Sequence, residues 1–408
     1  MSCYFDEAIS IANLNEKSIY IYGASVSGVS LLKYLDKKRI KVTGFSDVSF
    51  SKVGNDIAFF GTPVIDFDVL LNCLDDKTLV FLCCSSEKKA QHYQSVILEK
   101  CSEAQCVIIN NYDEVYIDIS GRCNLRCRSC QVANHHKESF SYSGRGLMSF
   151  ELFCKILDKV QMELPYCLGV FLFNYGEPLL SPDLPRMIHE IHSRGMIAII
   201  SSNLSLEYNF DSLLIDPPDI FKISISGFSQ KVYETTHNGG NIYLVKSNMY
   251  RIRMIEDKLK TRVNVVVGYH VYNNNQGAEY IAAEDLCKEL GFLFQPRKAI
   301  FCNIPKQAGI DPFSKSDIEF ISEYYPNSRD ILTINQSKET ISGTCRNALN
   351  RLFIDYNGDV FLCFMVMHNG GIYKSYLQTS LKDIRMWQKE HWICGKCKDI
   401  GFISLERV

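Results

Sequence analysis

The chain has 408 residues, 46% hydrophobic and 22% charged, with 44 Lys and Arg against 46 Asp and Glu for a formal charge of −2. This is the make-up of an ordinary globular protein of two or three domains, and nothing in it argues for a nucleic-acid or membrane surface. No apolar run reaches a transmembrane length, and Met1–Glu7 has neither a basic start nor an apolar stretch, so the expectation is a cytoplasmic chain without a signal peptide. Its 17 cysteines then suit metal ligation in a reducing compartment better than a disulfide framework.

The first hundred or so residues alternate strand and helix. Ser18–Tyr22 reads as a buried strand, followed by the turn Gly23-Ala24-Ser25-Val26-Ser27-Gly28 and a helical run with Val29, Leu32 and Leu35 on one face. Further strands are expected at 41–45, 79–84 and 106–109, which argues for a small parallel α/β domain. The turn has the form of a dinucleotide fingerprint, in which a tight turn aims helix N–H groups at a phosphate. Gly23, Ser25 and Gly28 are therefore candidate nucleotide-binding residues, with Asp47 near where a ribose-binding acid falls. Ser25 stands where the fingerprint has its middle glycine, so a scaffold with no ligand is an equal reading. Cys83, Cys84, Cys101 and Cys106 read as small core residues.

A second pattern begins near residue 113. A short strand, Val115–Ile119, leads into Cys123-Asn124-Leu125-Arg126-Cys127-Arg128-Ser129-Cys130. Three thiolates spaced C-x3-C-x2-C on one loop can hold three irons of a [4Fe–4S] cluster and leave the fourth open. A zinc loop is the rival, although zinc sites usually pair C-x2-C units to reach four ligands. An amphipathic helix follows at 151–163, then a strand at 169–174 capped by Tyr175-Gly176-Glu177-Pro178, a helix at 182–194, and strands at 196–200, 221–225, 263–271 and 291–294. The series reads as an open parallel barrel whose active face lies at the strand C-terminal ends. Ser201, Asn203, Ser224 and Ser226 sit at such ends, as does Asn273-Asn274-Asn275, a turn by default. His135 and His136 read as a solvated loop. Lys222 and Arg297 lie at strands, where they could meet a phosphate or a cofactor carboxylate.

Residues 301–343 form a connecting segment. A helix is expected at 317–325, with Ser316 and Glu319 at capping-box spacing, and Cys302 reads as a plain loop cysteine. The last part, 344–408, carries Cys345, Cys363, Cys394 and Cys397, with Asn357-Gly358 as a hairpin signal before Cys363. Four thiolates saturate a zinc ion or an iron–sulfur cluster, and spacing alone does not choose between them.

The cysteine octet with its leading strand and the Tyr175-Gly176-Glu177-Pro178 turn resembles the radical S-adenosylmethionine superfamily. That resemblance implies an α/β protein. A partial (β/α)6 TIM-type barrel over 113–300 would follow an N-terminal Rossmann-like domain at 1–112 and precede a small C-terminal iron–sulfur domain at 344–408. It implies that Cys123, Cys127 and Cys130 hold a catalytic [4Fe–4S] cluster. S-adenosylmethionine would then be held by Tyr175, Gly176, Glu177, Pro178, Ser201, Asn203, Ser224 and Ser226. Ser129 departs from the aromatic residue many members carry before the third cysteine. The last four cysteines resemble the short "twitch" form of the SPASM auxiliary-cluster domain, implying a second [4Fe–4S] cluster. Tyr22–Ser25, Gly44–Asp47 and Gly61–Ile65 look like the nucleotide-sugar-binding domain of certain sugar acetyltransferases. Together these imply an oxidoreductase acting on a sugar or sugar-like alcohol, free or nucleotide-linked, and fed by a donor such as flavodoxin or ferredoxin. A peptide-modifying maturase and a redox-neutral sugar epimerase are the alternatives.

Overall fold

The computed structural model of the protein describes residues 18–23, 25–47, 61–84, 87–109, 112–130, 146–261, 263–301, 303–333, 350–366 and 371–400, with a few positions outside these spans, Cys345 among them. His135, His136 and Cys302 lie outside the described residues. The N-terminal sheet is built from β1 (Ser18–Tyr22), β2 (Gly44–Ser46), β3 (Ala58–Phe59), β4 (Thr62–Ile65), β5 (Thr78–Leu82) and β6 (Gln105–Ile108). Their order is β3-β4-β2-β1-β5-β6, all parallel except the β3–β4 pair. β5 is buried throughout and β1 nearly so, which is why both read as unbroken apolar runs. β4 was not expected as a strand, because it carries Pro63, a residue that normally argues against a place inside a sheet.

The barrel follows in chain order: β7 (Asp113–Ile117), β8 (Cys167–Phe171), β9 (Ile197–Ser202), β10 (Ile220–Ile225), β11 (Asn264–Val271) and β12 (Leu293–Lys298), each parallel to the next. Helices Phe150–Glu163, Leu184–Ser193, Phe210–Ile215, Ile242–Leu259 and Ala278–Leu290 alternate with them. Val115, Ile117, Val170, Ala198, Ile200, Ile223 and Val267 share one core with Phe153, Ile156, Met187, Ile191, Leu213 and Ile252 of those helices. Strand alternation then turns Glu114, Tyr116, Phe171, Ser201, Lys222, Ser224, Gly268 and His270 to the barrel interior.

The C-terminal strands extend this same sheet. β13 (Arg351–Ile354) runs parallel to β7, and β14 (Asp359–Phe361) and β15 (Ile372–Ser375) continue antiparallel. Arg351 Nε sits 2.7 Å from Glu114 across the β13–β7 join. The hairpin turn is where Asn357-Gly358 placed it. Gly358 has φ +89, and the Asp355 carboxylate accepts the N–H groups of Asn357 and Asp359. In the connecting segment, helix Lys315–Tyr324 starts two residues earlier than expected. The capping box is Ser314 with Asp317, not Ser316 with Glu319, because the helix begins at Lys315 with Ser314 as its N-cap; Asp317 also takes Lys306 Nζ at 2.5 Å.

The N-terminal domain is packed on the barrel. Helix Val26–Lys37 lays Val26, Val29 and Leu32 into a cluster with Leu168, Phe171, Ile197, Ile199 and Ile220. A Cβ on Gly169 would stand 2.7 Å from Val26 Cγ1, so glycine lets the helix approach β8. Lys33 pairs with the buried Asp219, which also accepts Ala198 N–H at 2.7 Å and faces His192 Nε2 at 3.0 Å. Burial opposes charge on His192, but the Asp219 and Asp216 carboxylates outweigh it and hold its pKa above the usual value. A raised folded pKa stabilises fully below the unfolded value near 6.5 and is lost as pH rises through the folded one. The thermal unfolding midpoint should therefore fall as the pH rises above about 6.5 in the wild type, and fall less in His192→Gln, when both are followed by thermal melting.

Candidate functional site

The site is built where the first two barrel strands end. Ile119 and Ser120 leave β7 and the loop turns at once to the three cysteines. Tyr175–Pro178 leaves β8 beside it. Asp118, 1% exposed, accepts Tyr175 N–H at 3.0 Å and Gly176 N–H at 3.1 Å. Glu177 N–H donates to the Arg122 carbonyl at 2.7 Å. A Cβ on Gly176 would lie 1.5 Å from the Ser120 carbonyl oxygen, so only glycine lets the two loops touch.

Glu177 is 2% exposed. Its carboxylate accepts Leu179 N–H at 3.1 Å, Asn203 N–H at 2.9 Å and Asn203 Nδ2 at 2.6 Å. Burial raises its pKa to about 7 in spite of those donors, which leaves a carboxylate poised to take a cation. Asn203 ties the parts together: the same Nδ2 lies 2.9 Å from Asn124 Oδ1 and 3.8 Å from Cys123 Sγ. Asn124 Nδ2 donates to the Ser205 carbonyl at 2.8 Å, and Arg126 N–H to the Asn238 carbonyl at 2.9 Å. Arg128 reaches Ser316 Oγ at 2.9 Å and covers the Phe320 ring at 4.4 Å, which joins the cysteine loop to the connecting segment.

Cys123 opens to the mouth, and Cys127 and Cys130 are half-buried. Cys123 is crowded by protein on its other sides, and this burial pushes its thiol up to about 12; Cys127 is raised further. Cys130 and Cys123 are near enough to act electrostatically on Cys127. Neutral thiols of this kind become ligands when a cation such as iron takes their protons' place. Among the described residues no group of three His, Cys, Asp or Glu is drawn together as a ready single-ion site. The second cysteine set gathers around Leu362, Met365, Val366, Ile393 and Ile400, against which Cys363, Cys394 and Cys397 pack. Burial raises Cys394 to about 11, and Cys345 is close enough to add to that shift. Four thiols are the donor type that a zinc or iron–sulfur centre uses. Tyr175, in place of a glycine, donates its hydroxyl to the Phe364 carbonyl beside Cys363 and so links the two regions. No sequence signal showed this link.

The other expected site residues divide. Ser201 and Ser224 face the barrel interior, half-buried. The Ser226 hydroxyl is engaged within the protein, with Thr236 and with His237 Nδ1 at 2.7 Å. Asn275 is buried and holds the Ser226 and His270 carbonyls, a structural turn. In the N-terminal turn, Gly23 has φ +111 and a Cβ there would lie 2.3 Å from the Cys83 carbonyl oxygen. Ser25 caps its helix by accepting Gly28 N–H and donates to Cys83 O at 2.8 Å. These packing duties account for Gly23 and Ser25 without a ligand.

No family model matches the chain. Over 176 residues it is 26% identical to the tungsten-containing aldehyde ferredoxin oxidoreductase cofactor-modifying protein of Pyrococcus furiosus, covering 43% of this chain and 45% of that one. Over 185 residues it is 28% identical to a probable GTP 3′,8-cyclase of Methanococcus aeolicus, covering 44% and 56%. The chain thus spans about half the length of these curated relatives. The crystal structure of Streptococcus suis SuiB bound to S-adenosylmethionine superposes with a TM-score of 0.46 at 15% identity, over 76% of this chain and 72% of that one.

Asn203→Ala removes the shared donor from a buried carboxylate. It should lower stability by about 1–3 kcal/mol, the cost of a buried group left short of a partner, read from denaturant unfolding.

Proposed function

We propose that this chain, a member of the radical S-adenosylmethionine superfamily, dehydrogenates a sugar or sugar-like alcohol, with a nucleotide-linked sugar as the favoured class. The observation that carries the reading is the backbone contact that sets the three-cysteine loop against the Glu177 loop at the mouth of a six-stranded parallel barrel. Cys123, Cys127 and Cys130 would hold one [4Fe–4S] cluster, and Cys345, Cys363, Cys394 and Cys397 a second. When bound, the first cluster with S-adenosylmethionine supplies a 5′-deoxyadenosyl radical, and the second an acceptor for the electron that an oxidation releases.

The chain's own residues supply binding and orientation. Glu177, walled in and held by Asn203, offers a carboxylate to the methionine ammonium. Gly176 and Pro178 shape the turn that presents it, and Tyr175 fixes that turn to the Cys363 region. Ser201 and Ser224 offer hydroxyls from strands β9 and β10. The probable GTP 3′,8-cyclase is named for a nucleotide substrate, and the N-terminal Rossmann-like sheet is a suitable handle for a nucleotide. An external flavodoxin or ferredoxin is the proposed electron source. Among the described residues no helix is long and apolar enough to cross a membrane.

The decisive experiment is anaerobic reconstitution, followed by reaction with S-adenosylmethionine and reductant over a panel of nucleotide-sugars. A burst of 5′-deoxyadenosine with one of them is the expected result. Only slow cleavage with every sugar, and a burst with peptides, would move the assignment to a peptide maturase. Cys127→Ala should abolish cleavage altogether. With a Glu177 pKa of about 7, protonation competes with the cofactor's ammonium. S-adenosylmethionine should therefore bind roughly tenfold more weakly at pH 6 than its pH 8 value, by calorimetry, with the dependence lost in Glu177→Gln.

A further inference from the structure

Below the cysteine loop, the barrel interior holds side chains that the proposed chemistry does not use. Lys222 Nζ lies 5.6 Å from the Phe171 ring centre and 5.9 Å from that of Phe173. Phe171 stacks on Tyr116 at 4.1 Å with 9° between the planes. Arg351 stands 6.0 Å from the Tyr116 ring and pairs with Glu114, so the carboxylate nearest this ladder already has a cation. Among the described residues, Lys222 and Arg297 each have no ion pair.

The strand register puts the two cations on one face. Lys222 pairs with Val266, Ser224 with Gly268 and His270 with Arg297, and parallel partners point the same way. Burial lowers Lys222 to about 8, with the nearby Arg297 adding to the fall and Glu114 opposing it. Lys222 is thus charged at neutral pH, walled by aromatic rings, beside a second cation. Two like charges facing one space, Lys222 half-buried and Arg297 exposed there, repel each other, and an anion between them removes that repulsion. There is room for one. A Cβ on Gly268, mid-strand between Ser224 and Gln295, would meet only the Ile223 carbonyl, at 3.7 Å. A glycine inside a strand with nothing packed on it marks a place where a ligand comes close.

We infer that Lys222 and Arg297 form an oxyanion subsite in the barrel chamber, and that the substrate carries a phosphate or carboxylate group bound there. An arginine fork and a lysine point charge are complementary donors for such a group. Lys222 lies roughly 13 Å down the strand from the mouth, and Arg297, level with His270 near the end of β11, stands above it, so the subsite runs from the depth of the chamber towards its mouth. The Asp47 carboxylate, at the end of β2, is close enough to offset part of the burial effect on Arg297. The N-terminal sheet therefore ends beside this subsite, where a nucleotide's phosphates would pass. The inference deepens the function proposed above and rests on it only for which end of the substrate reacts.

Anion binding is measurable without any cluster. The full chain is titrated by calorimetry with pyrophosphate, uridine diphosphate, citrate and uridine, alongside Lys222→Met and Arg297→Met. Pyrophosphate and uridine diphosphate should bind the wild type, uridine should not, and each variant should lose at least about tenfold in affinity, the usual scale for one charged contact. Binding of citrate alone, lost in the variants, would support a carboxylate-bearing substrate. No binding by the wild type, or equal binding by all three proteins, overturns the inference. Gly268→Val, which fills the chamber and keeps both charges, should also weaken binding and guards against a variant that fails to fold. If anions bind as expected while no nucleotide-sugar provokes 5′-deoxyadenosine, the subsite stands and the proposed function fails. If 5′-deoxyadenosine forms while the variants bind anions normally, the reverse holds.

Discussion

Everything at the mouth of the barrel depends on two backbone loops touching. The Ser120 carbonyl fills the space where a side chain on Gly176 would be, Arg122 accepts the Glu177 N–H, and Asp118 holds the other two N–H groups of the second loop. These contacts leave no freedom in the distance between the cysteine loop and the Glu177 carboxylate. Asn203 reads that distance from a third strand, by bonding to both sides at once. A site assembled from three strand ends by main-chain contact is stiff, and stiffness is what positioning a reactive fragment requires.

The second constraint acts at the opposite end of the strands. Helix Val26–Lys37 lies on the barrel through apolar contact and through Lys33 with the buried Asp219. A carboxylate buried this deeply is tolerable only because Lys33, His192 and a backbone N–H all point at it. The helix thus has two duties: its N-terminus lies at the glycine turn of the Rossmann-like sheet, and its flank closes part of the barrel. The turn residues Gly23 and Ser25 serve this packing whatever ligand the domain takes.

The sequence carried the local features well. Period-two and period-3.6 patterns located the barrel strands and helices, the cysteine spacing located the loop, and Asn357-Gly358 located a hairpin. Its failures were non-local. That β13 would pair with β7 could not be read, since the two strands are far apart in sequence and each looks like an ordinary apolar run. Ser226 looked like a ligand-facing hydroxyl until His237 and Thr236 were found against it. Lys222 and Arg297 read in the sequence as strand charges that could meet a phosphate or a cofactor carboxylate; the register that turns both to one face belongs to the fold.

The join between β13 and β7 also sets an order of assembly. Arg351 and Glu114 are 237 positions apart, so a ribosome has made the whole six-stranded barrel before the partner for its first strand emerges. Until then β7 presents an open edge of unpaired N–H and C=O groups, the kind of edge that recruits other strands. Contacts this distant are slow to form. The strands that follow the barrel therefore act as the cover for its first strand, and the nascent chain is most exposed to misassociation in the interval between the synthesis of β12 and that of β13.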